Sequence, residues 1–166
     1  MLQPSRRRTW APRGKTPVQY AWDRHDRLSA ISAITVSPRR RKIGMYFRVQ
    51  QHNVCAEDLV DIVRQLHGLL AGPLILVWDR SGPHRKAARL LLQDNPAWLR
   101  IEWLPPYAPD LNPTEQCWNH SKHSDLANFL PDDTDELKQA VRDSFSGQRN
   151  NQKLLRSYFK TAQLRL

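Results

Sequence analysis

An uninterrupted apolar run, Leu74-Ile75-Leu76-Val77-Trp78, ends on a carboxylate, Asp79. Apolar residues without alternation are the pattern of a strand covered on both faces, found where helices flank a sheet with parallel strands. Thirty-five residues, 80 to 114, then lead to a second carboxylate, Glu115. That is enough chain for a strand end, a helix, a strand, a loop and the next helix, so the end of the path can return beside its beginning. An acid at the tip of a buried strand and an acid on a following helix are how a fold holds two oxygen ligands for Mg²⁺.

The rest of the chain supplies the elements such a fold needs. Leu28 to Val36 and Ile43 to Val49 are rich in β-branched and aromatic residues. They flank Ser37-Pro38 and a basic run, which predicts an antiparallel hairpin. Glu57 to Leu70 places Leu59, Ile62, Val63, Leu66 and Leu70 at helical spacing, and Gly72-Pro73 stops it. His84 to Leu92 reads as a helix and Arg100 to Leu104 as a strand. Asn112 to about Phe129 and Thr134 to about Phe145 read as two more helices, and Lys153 to Leu164 keeps helical spacing to the end. A strand pair followed by helix, strand, helix, strand and helix predicts an α/β fold. Its mixed sheet has antiparallel strands on one side, parallel strands on the other, and flanking helices. Ligands gather beyond the carboxyl ends of parallel strands, and Asp79 stands at one.

With 166 residues the chain is expected to be one domain, preceded by an extended Arg- and Pro-rich segment over residues 1–17 that Trp10 could anchor. No apolar stretch approaches a membrane span, and two cysteines, Cys55 and Cys117, form no disulfide framework. A cytoplasmic protein is the expectation. The formal net charge is +10. Residues 1–50 hold twelve Lys/Arg against two Asp, which accounts for all of it, and residues 51–166 hold fourteen of each sign. Arg6-Arg7-Arg8 and Arg39-Arg40-Arg41-Lys42 dominate the excess, and a phosphate backbone is the natural partner of such clusters. A solvated terminus and a basic turn are the plainer alternative.

The two acids have plainer roles open to them as well. Asp79 can cap the loop that enters the next helix, with Gly82-Pro83 supplying the turn. Glu115 can close a capping box with Asn112 at the N-cap and Pro113 at the first helical position, a role that stabilises a helix start by about 1 kcal/mol. His84 falls in a helical first turn. Lys122 lies seven residues beyond Glu115, on the same helical face, where it can meet a phosphate or solvent. Trp118 is expected in the core. The acidic run Asp132-Asp133-Thr134-Asp135-Glu136 suits a helix N-terminus. His120 and His123 complete no zinc set with the cysteines.

Three stretches together resemble the catalytic domain of DDE transposases, in the bacterial insertion-sequence branch related to mariner elements. Thr9-Trp10-Ala11-Pro12-Arg13-Gly14-Lys15-Thr16-Pro17 is similar to the family's Trp-Ala-Pro-x-Gly-x-Thr-Pro segment. Val77-Trp78-Asp79 with His84 resembles its second-acid motif. Leu104-Pro105-Pro106-Tyr107-Ala108-Pro109-Asp110-Leu111-Asn112-Pro113-Thr114-Glu115, then Trp118 and Lys122, resembles its third-acid motif. The resemblance implies an RNase H-like fold and Mg²⁺- or Mn²⁺-dependent cutting of double-stranded DNA at transposon ends, with the freed 3′ hydroxyl then attacking target DNA. It implies Asp79 and Glu115 as catalytic metal ligands, with His84, Asn112 and Lys122 in support.

Two features depart from the family pattern. Arg80 stands where Asn is frequent. The first acid belongs on an opening strand shortly before the Trp-Ala-Pro segment, and here that segment begins almost at Met1. Asp23 and Asp26 sit in a polar stretch that suits a loop and are poor substitutes. The expectation is therefore a domain without its opening strand, encoded as a fragment or as the second frame of a split gene. Its partners would be DNA, an upstream open reading frame product and a second copy of itself, at the bacterial nucleoid. The alternative is a non-catalytic, DNA-binding remnant.

Overall fold

The run of elements is β1 Ser29–Val36, β2 Ile43–Gln50, α1 Ala56–Leu70, β3 Leu74–Trp78, α2 Gly82–Leu92, β4 Leu99–Trp103, α3 Pro113–His120, α4 Thr134–Arg149 and α5 Gln152–Thr161. A 3-10 turn at Pro109–Leu111 precedes α3 and a π-turn at Ser121–Asp125 follows it. This computed structural model describes residues 7–18, 28–94 and 96–166. The chain divides into one unit of Met1–Asn53 with Pro113–Leu166 and another of Val54–Asn112.

In the first unit β1 and β2 pair antiparallel, from Ser29 opposite Gln50 to Val36 opposite Ile43. The connecting turn closes where Arg40 N–H donates to the Ser37 carbonyl at 2.7 Å and Ser37 N–H donates to the Lys42 carbonyl at 2.9 Å. Alternate β2 residues face the core, because successive side chains point to opposite faces of a strand. Ile43 and Met45 meet Cys117 of α3, Phe145 of α4, and Leu155, Tyr158 and Phe159 of α5. Phe145 is fully buried. Phe47 and Trp118 meet its ring edge-on at centroid distances of 5.2 and 4.9 Å, the favoured aromatic geometry. Asp133 caps α4 by accepting from Glu136 N–H at 2.7 Å, the end role expected of the acidic run.

The helix expected from Asn112 to Phe129 ends early. It is α-helical only to His120, and the π-turn then closes with Leu126 N–H donating to the Ser121 carbonyl at 2.8 Å. A buried polar network accompanies this widening. Ser144 Oγ donates to Asp125 Oδ2 at 2.7 Å and lies 2.7 Å from Ser121 Oγ. Gln148 Nε2 donates to Ser121 Oγ at 2.7 Å, and Gln148 Oε1 accepts from the Tyr158 hydroxyl at 2.9 Å. Burial pushes the Tyr158 hydroxyl above its ordinary range, so it stays a donor. Gln148→Leu strands the buried Tyr158 hydroxyl, while Ser121, Ser144 and Asp125 keep their bonds to one another. It is expected to destabilise the fold by about 1–3 kcal/mol, more than Tyr158→Phe, as read from urea midpoints.

The second unit joins α1, β3, α2 and β4. Asp58 Oδ2 accepts from Cys55 N–H at 2.9 Å at the start of α1, and Ala71, in the left-handed region at φ 50, ends the helix. Strands β3 and β4 are parallel, with Leu74 opposite Leu99 and Trp78 opposite Trp103. Lys86 of α2 reaches Glu57 of α1 at 2.8 Å. The helices bury Leu59, Val60, Val63 and Leu66 on α1 and Ala87, Ala88 and Leu91 on α2.

Three expectations need correction. The single mixed sheet is instead two two-stranded sheets, β1-β2 and β3-β4, and no further strand among the described residues joins them. Strand β3 is not covered on both faces, since Ile75 is 70% and Val77 54% exposed. The register places Arg100 and Glu102 of β4 beside those two residues, and they pair with each other at 2.6 Å, so this face ends in an ion pair. Trp10 is fully exposed and anchors nothing among the described residues. No helix among the described residues is long and apolar enough to cross a membrane.

Candidate functional site

Asp79 leaves the carboxyl end of β3, where Leu104 N–H still donates to the Trp78 carbonyl at 2.7 Å. One oxygen, Oδ1, accepts from Ser81 N–H at 2.8 Å and from His84 Nδ1 at 2.7 Å. The His84 ring stacks on Trp78 with centroids 4.7 Å apart and planes within 9°, which fixes the imidazole beside the acid. Partial burial works against the charged carboxylate, but the Ser81 amide and His84 outweigh it and hold its pKa below the ordinary aspartate value. Asp79 therefore makes the loop bond expected of the plainer role and keeps Oδ2 available. An ionised, partly exposed carboxylate oxygen is a donor that suits Mg²⁺ or Mn²⁺.

The same bonds carry a pH prediction. A lowered folded-state pKa means stability that is fully present above the ordinary aspartate range and lost as pH falls through the folded value. The destabilisation caused by Asp79→Asn is expected to be largest near neutral pH and to shrink progressively in acid, in paired urea melts.

Glu115 lies in the first turn of α3, half-buried. The capping box expected of it does not form, because Asn112 N–H donates to the Pro109 carbonyl at 2.9 Å, closing the 3-10 turn. No hydrogen bond or ion pair with a described residue occupies the Glu115 carboxylate. Pro113 does take the first helical position. Behind the acid, burial pushes the Cys117 thiol up to about 12, so that cysteine is inert packing. Asp79 belongs to the second unit and Glu115 to the first. No group of three or more His, Cys, Asp or Glu is arranged to hold a metal among the described residues.

A family model described as DDE superfamily endonuclease matches residues 1–138. The chain belongs to the DDE superfamily endonucleases. No curated protein sequence matches it. Among solved structures, this DDE superfamily endonuclease is similar in fold to a chain of "Crystal structure of the Mos1 Strand Transfer Complex". The TM-score is 0.54 at 18% identity, over 96% of this chain and 50% of that one. The chain thus spans about half the length of that solved relative, and the likeness supports the RNase H-like expectation at the level of the fold.

The other expected site residues fall in varied places in this chain. Lys122 is exposed and lies in the π-turn that follows α3. Arg7 and Arg8 are exposed, while Arg6, Asp23 and Asp26 lie outside the described residues. Asn128 holds the Arg7 backbone by two bonds, its Oδ1 accepting from Arg7 N–H at 2.8 Å and its Nδ2 donating to Arg7 O at 3.1 Å. Nothing in the local sequence marked Asn128, since the pairing spans 121 positions. Arg39, Arg40, Arg41 and Lys42 are all exposed at the hairpin turn.

Proposed function

We propose that this DDE superfamily endonuclease is a transposase catalytic domain of the insertion-sequence branch related to mariner elements, cutting and joining DNA at element ends. The single observation that carries it is the family match over both acid motifs, with Asp79 held ionised at a strand's carboxyl end. Asp79 and Glu115 would be the chain's metal ligands. Bound Mg²⁺ or Mn²⁺ supplies activation of the attacking oxygen and stabilisation of the leaving one. His84 fixes Asp79 through Nδ1, aiming its second oxygen, and the stack on Trp78 keeps that ring from turning. Exposed arginines at residues 7, 8 and 39–41, with Lys42, would hold the DNA backbone, and Arg6 joins them by sequence. Pairing with a second copy completes the proposal.

The test is incubation with Mg²⁺ and a duplex carrying the DNA that flanks the gene. Nicks bearing 3′ hydroxyls and products joined to a second duplex are expected. Hydrolysis without joining would replace transposition with a plain nuclease role. Binding without any cutting would favour the non-catalytic remnant.

A further inference from the structure

Charge counted along the chain hides a second basic region. Residues 51–166 are neutral in total, yet residues 144–166 contain no Asp or Glu and five cations, Arg149, Lys153, Arg156, Lys160 and Arg165. Residues 28–56 likewise contain neither and include Arg39, Arg40, Arg41, Lys42 and Arg48. The first unit places these two stretches against each other. Arg156 Nη2 of α5 donates to the Arg41 carbonyl at 2.7 Å. Gln152, one turn earlier, accepts from Ile43 N–H at 3.2 Å and donates to Ile43 O at 2.7 Å.

Lys153, Arg156 and Lys160 follow one another at spacings of three and four, which is one face of a helix, and all three are exposed. The opposite face, Leu155, Tyr158 and Phe159, is buried in the core, so α5 is fixed in rotation. Arg40 at the turn adopts the left-handed conformation, φ 55. None of Arg39, Arg40, Arg41, Lys42, Lys153, Arg156 and Lys160 is in an ion pair with a described residue. Seven like charges gathered on two hydrogen-bonded elements repel one another in the free protein, and a polyanion relieves that repulsion by releasing its own counterions.

We infer that the β1–β2 turn and the exposed face of α5 form one continuous surface that binds the phosphate backbone of duplex DNA, with Lys153, Arg156 and Lys160 as contacts. The inference deepens the proposed function and rests on it for the choice of partner. Helix α5 lies beyond the residues 1–138 that the family model matches.

The experiment is a salt titration of the full chain binding a duplex of arbitrary sequence in EDTA, which removes cutting from the readout. Each lost phosphate contact lowers the slope of log affinity against log salt by about 0.9. Lys153→Gln with Lys160→Gln, two exposed positions outside the core, is expected to lower the slope by nearly 2 and weaken binding at least about 10-fold near 0.1 M salt. Arg39→Gln with Lys42→Gln on the turn is expected to do the same, with circular dichroism unchanged in both. Wild-type binding whose slope the α5 pair leaves unchanged overturns this inference and leaves the transposase proposal standing. No binding of duplex by the wild type removes both. Tighter binding to single-stranded RNA or to anionic vesicles than to duplex overturns the choice of partner.

Discussion

Asp79→Asn is expected to abolish the proposed Mg²⁺-dependent strand cutting, by at least about 10³-fold, while duplex binding in EDTA stays at the wild-type level. The substitution keeps the shape of the side chain and an oxygen that can accept from Ser81 N–H and His84 Nδ1, the two bonds made by Oδ1. What it removes is the negative charge on the oxygen that faces away from them. A metal that has lost a charged ligand loses several kcal/mol of transition-state stabilisation, and about 4 kcal/mol corresponds to the stated factor. His84→Ala keeps the charge and loses only the aim, so its loss is expected to be smaller, about 10–100-fold, as for residues that orient a metal ligand. A readout independent of cutting is available. Mn²⁺ added to the chain should broaden the NMR signals of residues near Asp79 and Glu115 in wild type and fail to do so near position 79 in Asp79→Asn. Wild-type cutting rates in Asp79→Asn would remove this acid from the chemistry.

Phe145→Ala is expected to cost the first unit about 3–5 kcal/mol, the range for deleting a buried aromatic ring. The reason is its position. The ring is wholly buried between Phe47 of β2 and Trp118 of α3, so its loss opens a cavity that touches the hairpin and two helices at once. Those partners are tied by other bonds, Gln152 to Ile43 among them, and cannot collapse freely into the space. Differential scanning calorimetry should show the melting temperature fall by about 10 °C or more for a chain of this size. A fall of a degree or two would mean that Phe145 is not central to this core. Phe145→Leu, which refills much of the volume, should recover a large part of the loss.

Several elements were legible from local pattern because local forces decide them. The β-branched runs flanking Ser37-Pro38 form a hairpin, Gly72-Pro73 follows a helix that ends at Leu70, and Pro113 starts α3. The acidic run caps α4 through Asp133, and Trp118 packs against the core. The misplaced features depend on what lies across from them. Continuous apolar sequence in β3 spoke for two covered faces, yet a strand's cover is set by neighbours that are distant in sequence, and here Ile75 and Val77 lie open. The break of the third helix was illegible for the same reason, because Ser121 is buried against Ser144 and Gln148, more than twenty residues away.

The amino-acid sequence by itself marked the candidate site, since acids after an apolar strand and after a Pro-rich loop, with a basic excess in the first third, depend only on residue type and spacing. It also determined the type and order of nearly every element, because propensity, capping and hydrophobic period act over a few residues. Tertiary structure alone decided that His84 and Ser81 both hold one Asp79 oxygen, that Asn112 turns its amide to Pro109 and leaves the Glu115 carboxylate uncapped, and that α5 lies against the basic turn. Each of these is a matter of angstroms between groups whose approach is fixed by packing, and packing is a property of the whole chain.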